Sequence, residues 1–209
     1  MLLAFDTATP HVTVALHDGD SVVATFESEE SMRHGEMLAP GIASVLEIAG
    51  AVPADLSAIA VGVGPGPFTG LRVGLVTART LALVRDLPVH GVCSLDILAA
   101  AGIDAGLEDF VVATDARRKE VYLASYAGGR RIHGPEVVKP VEASTDLPVV
   151  GQGALLFPEA FPNAVGPEHP LASVLCDVVL NERFELLEPN PLYLRRPDAA
   201  EPGKPKRVS

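Results

Sequence analysis

The sequence predicts an α/β chain of two lobes, the second a reduced copy of the first. Three observations carry this. A strand that ends in an acid and turns into a hairpin occurs twice, a helix-strand alternation joins the two copies, and the second copy is followed by a thinner version of that alternation. A single offset of 109 residues carries Asp6 to Asp115, Val12 to Val121, Ala15 to Ala124 and Gly19 to Gly128, which is the mark of an internal duplication. With 209 residues and 48% hydrophobic composition, the chain can bury a core in one domain or two small lobes.

The first copy opens with a buried strand over 2–5 that ends at Asp6, continues with Val12–Leu16, and closes at Asp18-Gly19. A third strand, Val22–Phe26, completes a meander. Leu38, Ile42, Val45, Leu46 and Ala49 fall on one helical stripe that Gly50 stops, and Pro40 must lie near the first turn of this helix or kink it. The all-apolar run 58–63 suits a strand covered on both faces. A second helix spans 71–85, and a strand follows over 89–93. The second copy gives a strand over 110–114 ending at Asp115 and a strand over 121–126. After a poorly patterned stretch, 130–147, come a short strand, 148–150, a Gly151-Gln152-Gly153 turn and a helix through 171–184. The expected organisation is an N-terminal lobe over 1–102, a C-terminal lobe over 103–196 and a solvated tail over 197–209, where Lys204, Lys206 and Arg207 make a small basic cluster.

Composition narrows the function. A net charge of −11 and a pI near 4.9 make direct gripping of a polyanion such as tRNA unfavourable. No apolar run approaches the roughly 18 residues of a membrane span, and Met1-Leu2-Leu3-Ala4-Phe5-Asp6 lacks a basic signal-peptide region, so a cytoplasmic protein is expected. Cys93 and Cys176 sit in apolar surroundings and read as reduced core thiols.

Each repeat places a carboxylate where a strand becomes a hairpin. Facing copies would rim a cleft with Asp6 and Asp115, where Mg²⁺ and phosphates could be held by oxygen ligands, with Asp96 as a third acid. The loop from Gly62 to Gly74 joins a strand to a helix, the usual place of a phosphate loop. It has neither the Walker nor the dinucleotide glycine spacing, and Pro65 and Pro67 lack N–H donors, so a structural role competes with anion binding. In the second helix Arg72, Arg79 and Asp86 form one narrow polar stripe among apolar residues. Either its own lobe covers it on several sides, or one face awaits a partner. Arg117, Arg118 and Lys119 follow Asp115 as a solvated hairpin tip or as a contact for a phosphate or an acidic partner surface. His11, His17, His34, His90, His133 and His169 include no pair three or four residues apart, so no local histidine metal motif exists.

Taken together, five segments resemble the TsaB family of bacterial tRNA threonylcarbamoyladenosine biosynthesis proteins: Leu3-Ala4-Phe5-Asp6-Thr7-Ala8-Thr9, Arg33-His34-Gly35-Glu36, Gly64-Pro65-Gly66-Pro67-Phe68-Thr69-Gly70-Leu71-Arg72, Asp115-Ala116-Arg117-Arg118-Lys119-Glu120-Val121-Tyr122 and Pro191-Leu192-Tyr193-Leu194-Arg195. Pro67 and Gly35 stand where family members usually carry Ser. The resemblance implies an actin-like ATPase (ASKHA, RNase H-like) fold of two lobes. It also implies a catalytic paralogue, TsaD, that transfers a threonylcarbamoyl group to the adenosine beside the anticodon, and an ATPase partner, TsaE. TsaD-like chains carry His-x-x-x-His after the strand that follows the glycine loop; here the stretch reads Val92-Cys93-Ser94-Leu95-Asp96-Ile97-Leu98. The implied role is a non-catalytic scaffold with no metal or cofactor of its own. It would be a homodimer in isolation, a heterodimer with TsaD and a contact for TsaE with ATP, reaching tRNA only through the complex. ATP or ADP with Mg²⁺ would sit at the complex interface, and Asp6, Asp115, Gly151 and Gly153 would mark a vestigial nucleotide cleft. The expected partner face comprises Leu38, Ile42 and Val45 of the first helix and Leu71, Leu75, Val76 and Leu83 of the second. An autonomous Mg²⁺-dependent ATPase or phosphotransferase and a metallopeptidase are the other readings.

Overall fold

The computed structural model describes residues 1–28 and 33–195; the expected tail over 197–209 lies outside them. Strands β1 (Leu2–Asp6), β2 (Thr13–His17) and β3 (Val22–Glu27) form the first meander. Then come α1 (His34–Ile48), β4 (Ala58–Gly62), α2 (Phe68–Arg85), β5 (Val89–Val92) and α3 (Ser94–Asp104). The second meander is β6 (Asp109–Asp115), β7 (Val121–Ala127) and β8 (Arg130–Val138), followed by β9 (Val149–Val150), α4 (Gln152–Leu156), β10 (Ala164–Val165) and α5 (Ala172–Leu180).

The duplication is visible in the sheets. One is ordered β3-β2-β1-β4-β5 and the other β8-β7-β6-β9-β10. In each, the meander pairs antiparallel and the two later strands add in parallel beside the acid-bearing strand. The second copy is reduced: only a 3-10 turn, Pro140–Ala143, stands where α1 stands in the first, and α4 has five residues where α2 has eighteen.

The first sheet is covered on both faces, which explains why β1 is apolar at every position before its acid. Leu3 and Phe5 pack with Leu38, Ile42, Val45, Leu71 and Leu75 of α1 and α2, while Leu2 and Ala4 pack with Leu175, Cys176 and Val179 of α5. Helix α3 is buried between the two halves: Ile97 and Ala100 join the α5 layer, while Leu95, Leu98 and Ala99 join Phe110, Val112 and Tyr126 of the second sheet. Among its residues Asp96 is the buried acid. It accepts a hydrogen bond from the Tyr126 hydroxyl at 2.7 Å and pairs with Arg131 at 3.4 Å, tying α3 to β7 and β8.

Two local expectations change. α1 begins at His34, so Pro40 sits in the second turn, where it removes one i→i−4 hydrogen bond. The stretch over 130–138 is a strand that its charges and Gly134-Pro135 conceal, because an edge strand tolerates both.

Candidate functional site

Asp6 ends β1 at the centre of the first sheet and is 1% exposed. One carboxylate oxygen accepts the Ala8 N–H at 2.7 Å and the other accepts the Ser94 hydroxyl at 2.5 Å. Burial pushes its pKa up to about 6 against the pull of these two donors. The carboxyl therefore joins β1 to the start of α3 rather than lining an open cleft. Asp115, at the matching position of the second sheet, is only partly buried. It accepts the Arg117 N–H at 2.7 Å and pairs with the Arg117 guanidinium at 3.2 Å. Asp96 is committed to Tyr126 and Arg131. The expected grouping of the three acids around one cation is thus corrected, for among the described residues no three His, Cys, Asp or Glu side chains converge to hold a metal ion.

Around Asp6 the glycine-proline loop lies flat against the β1–β2 turn. A Cβ on Gly66 would fall 2.3 Å from the Ala8 carbonyl oxygen, and the Thr7 hydroxyl donates to the Gly70 carbonyl at 2.8 Å. His34, buried, meets the Thr9 carbonyl at 2.6 Å. These contacts give the loop's glycines a packing function. Gly151 has φ +104°, and a Cβ there would lie 2.5 Å from the Ala113 carbonyl oxygen; the corresponding distance for Gly153 is 2.8 Å. Both residues let α4 rest on β6, and the Gln152 N–H is taken by the Glu168 carbonyl.

A cavity of about 200 Å³ opens between the two lobes. The loop contributes Gly66, Pro67 and Phe68; the β6–β7 turn and the start of β7 contribute Ala116, Arg117, Arg118 and Tyr122; the C-terminal segment contributes Tyr193, Leu194 and Arg195. The Phe68 ring carries the Arg72 guanidinium 3.6 Å from its centroid and stacks with Tyr193 at 5.2 Å. Arg195 donates to the Ala116 carbonyl at 3.0 Å and pairs with Glu120. Arg117, Arg118 and Lys119 occupy the left-handed region in succession, with φ of 61°, 55° and 61°, a conformation costing roughly 1–2 kcal/mol per residue. Of the expected anion contacts, Arg117 and Arg118 reach this cavity, while Lys119 points to a separate apolar hollow beside Lys139 and Phe157. Tyr122, Tyr193 and Arg195 were not among the expected site residues. Their signal was present in the fourth and fifth motif segments, but nothing in the linear sequence places 193–195 against the β6–β7 turn.

The expected partner face is corrected in part. Leu38, Ile42, Val45, Leu71 and Leu75 belong to the core of their own lobe, because α1 and α2 both turn their periodic stripes onto the first sheet. Val76 and Leu83 face outward, 61% and 85% exposed, with Val84 beside them at 74%. The polar stripe of α2 is used internally at Arg79, which donates to the Pro189 carbonyl and to Asn190. No helix among the described residues is long and apolar enough to cross a membrane.

Residues 27–162 match the family model described as TsaD, tRNA N6-adenosine threonylcarbamoyltransferase. The uncharacterized protein Rv3421c of Mycobacterium tuberculosis is 41% identical over 204 residues, spanning 95% of this chain and 93% of its own length. The tRNA threonylcarbamoyladenosine biosynthesis protein TsaB of Haemophilus influenzae is 31% identical over 225 residues, spanning 93% of each chain. Among solved structures, YeaZ from Pseudomonas aeruginosa superposes with a TM-score of 0.76 at 31% identity, over 92% of this chain and 99% of that one.

Proposed function

Since the chain belongs to the TsaB family of tRNA threonylcarbamoyladenosine biosynthesis proteins, we propose that it is the non-catalytic partner subunit of a TsaD-type transferase. In this reading it pairs with itself when alone, pairs with TsaD through the same face, and offers the paired assembly to TsaE with ATP in the cytoplasm. The observation that supports it most is the outward ridge of α2. Val76, Thr80, Leu83 and Val84 recur at helical spacing on the side opposite the core stripe, and three of the four are large aliphatics left in water. A helix laid against that ridge would remove them from solvent, and a face used in self-pairing about a two-fold axis would serve a paralogue of the same fold.

The state of Asp6 favours the same reading over an autonomous ATPase. A Mg²⁺-binding acid needs free lone pairs at a wet cleft, whereas both Asp6 oxygens are engaged by the Ser94 hydroxyl and the Ala8 N–H in a dry site. The test is a reconstituted tRNA modification assay with TsaD, TsaE, ATP and this chain. Asp6→Asn should retain modification close to the parent rate, and the chain alone should show no sustained ATP turnover. Turnover by the isolated chain that disappears in Asp6→Asn would establish the ATPase reading instead.

A further inference from the structure

Residues 187–195 cross from one lobe to the other, and their anchors change in kind along the way. At the root, Leu187 exchanges both backbone hydrogen bonds with Gly91 of the edge strand β5, each at 2.8 Å. The seat is shaped for backbone alone: a Cβ on Gly91 would fall 2.8 Å from the Glu188 carbonyl oxygen and 2.9 Å from that of Leu187. Farther on, the Pro189 carbonyl and the Asn190 side-chain oxygen accept from the Arg79 guanidinium of α2 at 2.5 and 2.6 Å. The Leu192 N–H donates to the Val63 carbonyl at 2.8 Å, and Tyr193 stacks on Phe68 at the start of α2. At the tip Arg195 reaches the second lobe, where it holds the Ala116 carbonyl and Glu120. Leu187 and Leu192 pack against the cores of both lobes, sealing the seam between them.

The root is a backbone pair at a buried glycine, whereas the rest is fastened largely by side chains that reach solvent. The bond from Arg79 to Asn190 is exposed, and Arg195 and Glu120 keep 27% and 28% of their side-chain surface in water. A segment held in this way opens at a lower free energy than the sheets it lies on. Its middle also touches the α2 ridge. Arg79 lies three residues after Val76 and four before Leu83, so the three side chains are neighbours on the helix surface. A body seated on the ridge would exclude water from Arg79 and its two acceptors, and such charge-assisted bonds strengthen as water is removed.

We propose that residues 188–195 form a strap with docked and released states, pivoting at Leu187, and that cover on the α2 ridge favours the docked state. Through the strap, whatever sits on α2 of the first lobe holds Arg195 on the β6–β7 turn of the second. The strap itself stands on the contacts above; its coupling to the ridge rests on the reading of that ridge as a partner face.

The experiment is hydrogen exchange of the full chain, read by NMR at the Leu192 amide. In the parent this amide should exchange faster than the amides of β4, because the strap opens without the sheet. Arg79→Gln and Arg195→Gln should each speed it at least about tenfold, the loss expected for one charge-assisted hydrogen bond, while the Leu187 amide at the root stays as in the parent. Gly91→Ala, which disturbs the root, should speed both amides, and Lys139→Gln, remote from the strap, should change neither. The strap is overturned if Leu192 exchanges as slowly as β4 in the parent, or if neither Arg79→Gln nor Arg195→Gln speeds it. For the coupling, raising the protein concentration until the chain pairs should slow Leu192 exchange at least about fivefold in the parent and not in Leu83→Asp. Pairing that leaves the Leu192 rate unchanged overturns the coupling alone. A chain that stays monomeric throughout overturns the ridge reading and the coupling with it, and the two arginine variants then still decide the strap.

Discussion

Replacing Asp6 by Asn should change how stability depends on pH, and the direction follows from the site. The carboxyl is buried, and its pKa rises from about 3.8 in the unfolded chain to about 6 in the fold. Between these values the native state holds a proton that the unfolded state has released, so stability is fully present below about pH 4 and is lost as pH rises towards 6. A difference of about 2 pH units corresponds to about 3 kcal/mol at neutral pH, each unit contributing about 1.4 kcal/mol. Asn keeps the size and the acceptor for the Ala8 N–H. Its amide group would face the Ser94 hydroxyl, which already accepts the Gly64 N–H, so that hydroxyl loses an acceptor at a cost of about 1 kcal/mol at every pH. The variant should therefore be about 1 kcal/mol less stable than the parent near pH 4 and about 2 kcal/mol more stable near pH 7.5. Urea unfolding of both proteins at intervals across that range measures the difference, in which the other titrating groups, such as Asp96 and His169, cancel. A difference that stays constant within about 0.5 kcal/mol, or that moves against Asn as pH rises, would refute the reasoning. It would mean that Asp6 is ionised and solvated as a ligand-binding acid.

Two further outcomes test the local structure. Asp86 closes α2 in the left-handed region at φ 55°, where its N–H caps the Ala82 carbonyl; Asp86→Gly should stabilise the chain by about 1 kcal/mol and raise Tm by about 2–4 °C in a calorimetric scan. Cys93 and Cys176 are buried in apolar layers that push both thiols up to about 12, so the native protein should resist alkylation at pH 8 and both residues should react at once in denaturant.

The hairpin duplication was legible because it lies in side-chain order along the chain: a buried strand, an acid and an alternating partner can be read without knowing the fold. The 109-residue offset finds the two acids but misses the pairing register by one residue: Asp6 pairs with Thr13, whereas Asp115 pairs with Val121 and not with Tyr122. Burial was harder to read. The stripe of Leu38, Ile42 and Val45 has the same periodicity whether it meets its own sheet or another subunit, and only the fold shows that the sheet takes it. In α2, apolar residues on nearly every side concealed the division between the core stripe at Leu71 and Leu75 and the outer ridge at Val76 and Leu83. Helix α3 escaped because it faces both lobes and so has no polar side to set a period. The cavity escaped because its three walls come from segments about 50 and 70 residues apart.

The central claim, that the α2 ridge is the partner face, is tested by placing a charge on it. Val76→Asp and Leu83→Asp should melt close to the parent, because both side chains are mostly in solvent, whereas Leu75→Asp, at 3% exposure, should unfold the lobe. An unpaired charge buried at an interface costs roughly 2–5 kcal/mol, which is about 30-fold to several-thousand-fold in affinity. The decisive measurement is the dissociation constant of the TsaD complex for Leu83→Asp, with tRNA modification read in parallel. The account predicts a fully folded variant that binds TsaD at least about 30-fold more weakly and fails to support modification. A folded Leu83→Asp and a folded Val76→Asp that both bind TsaD as tightly as the parent would contradict it.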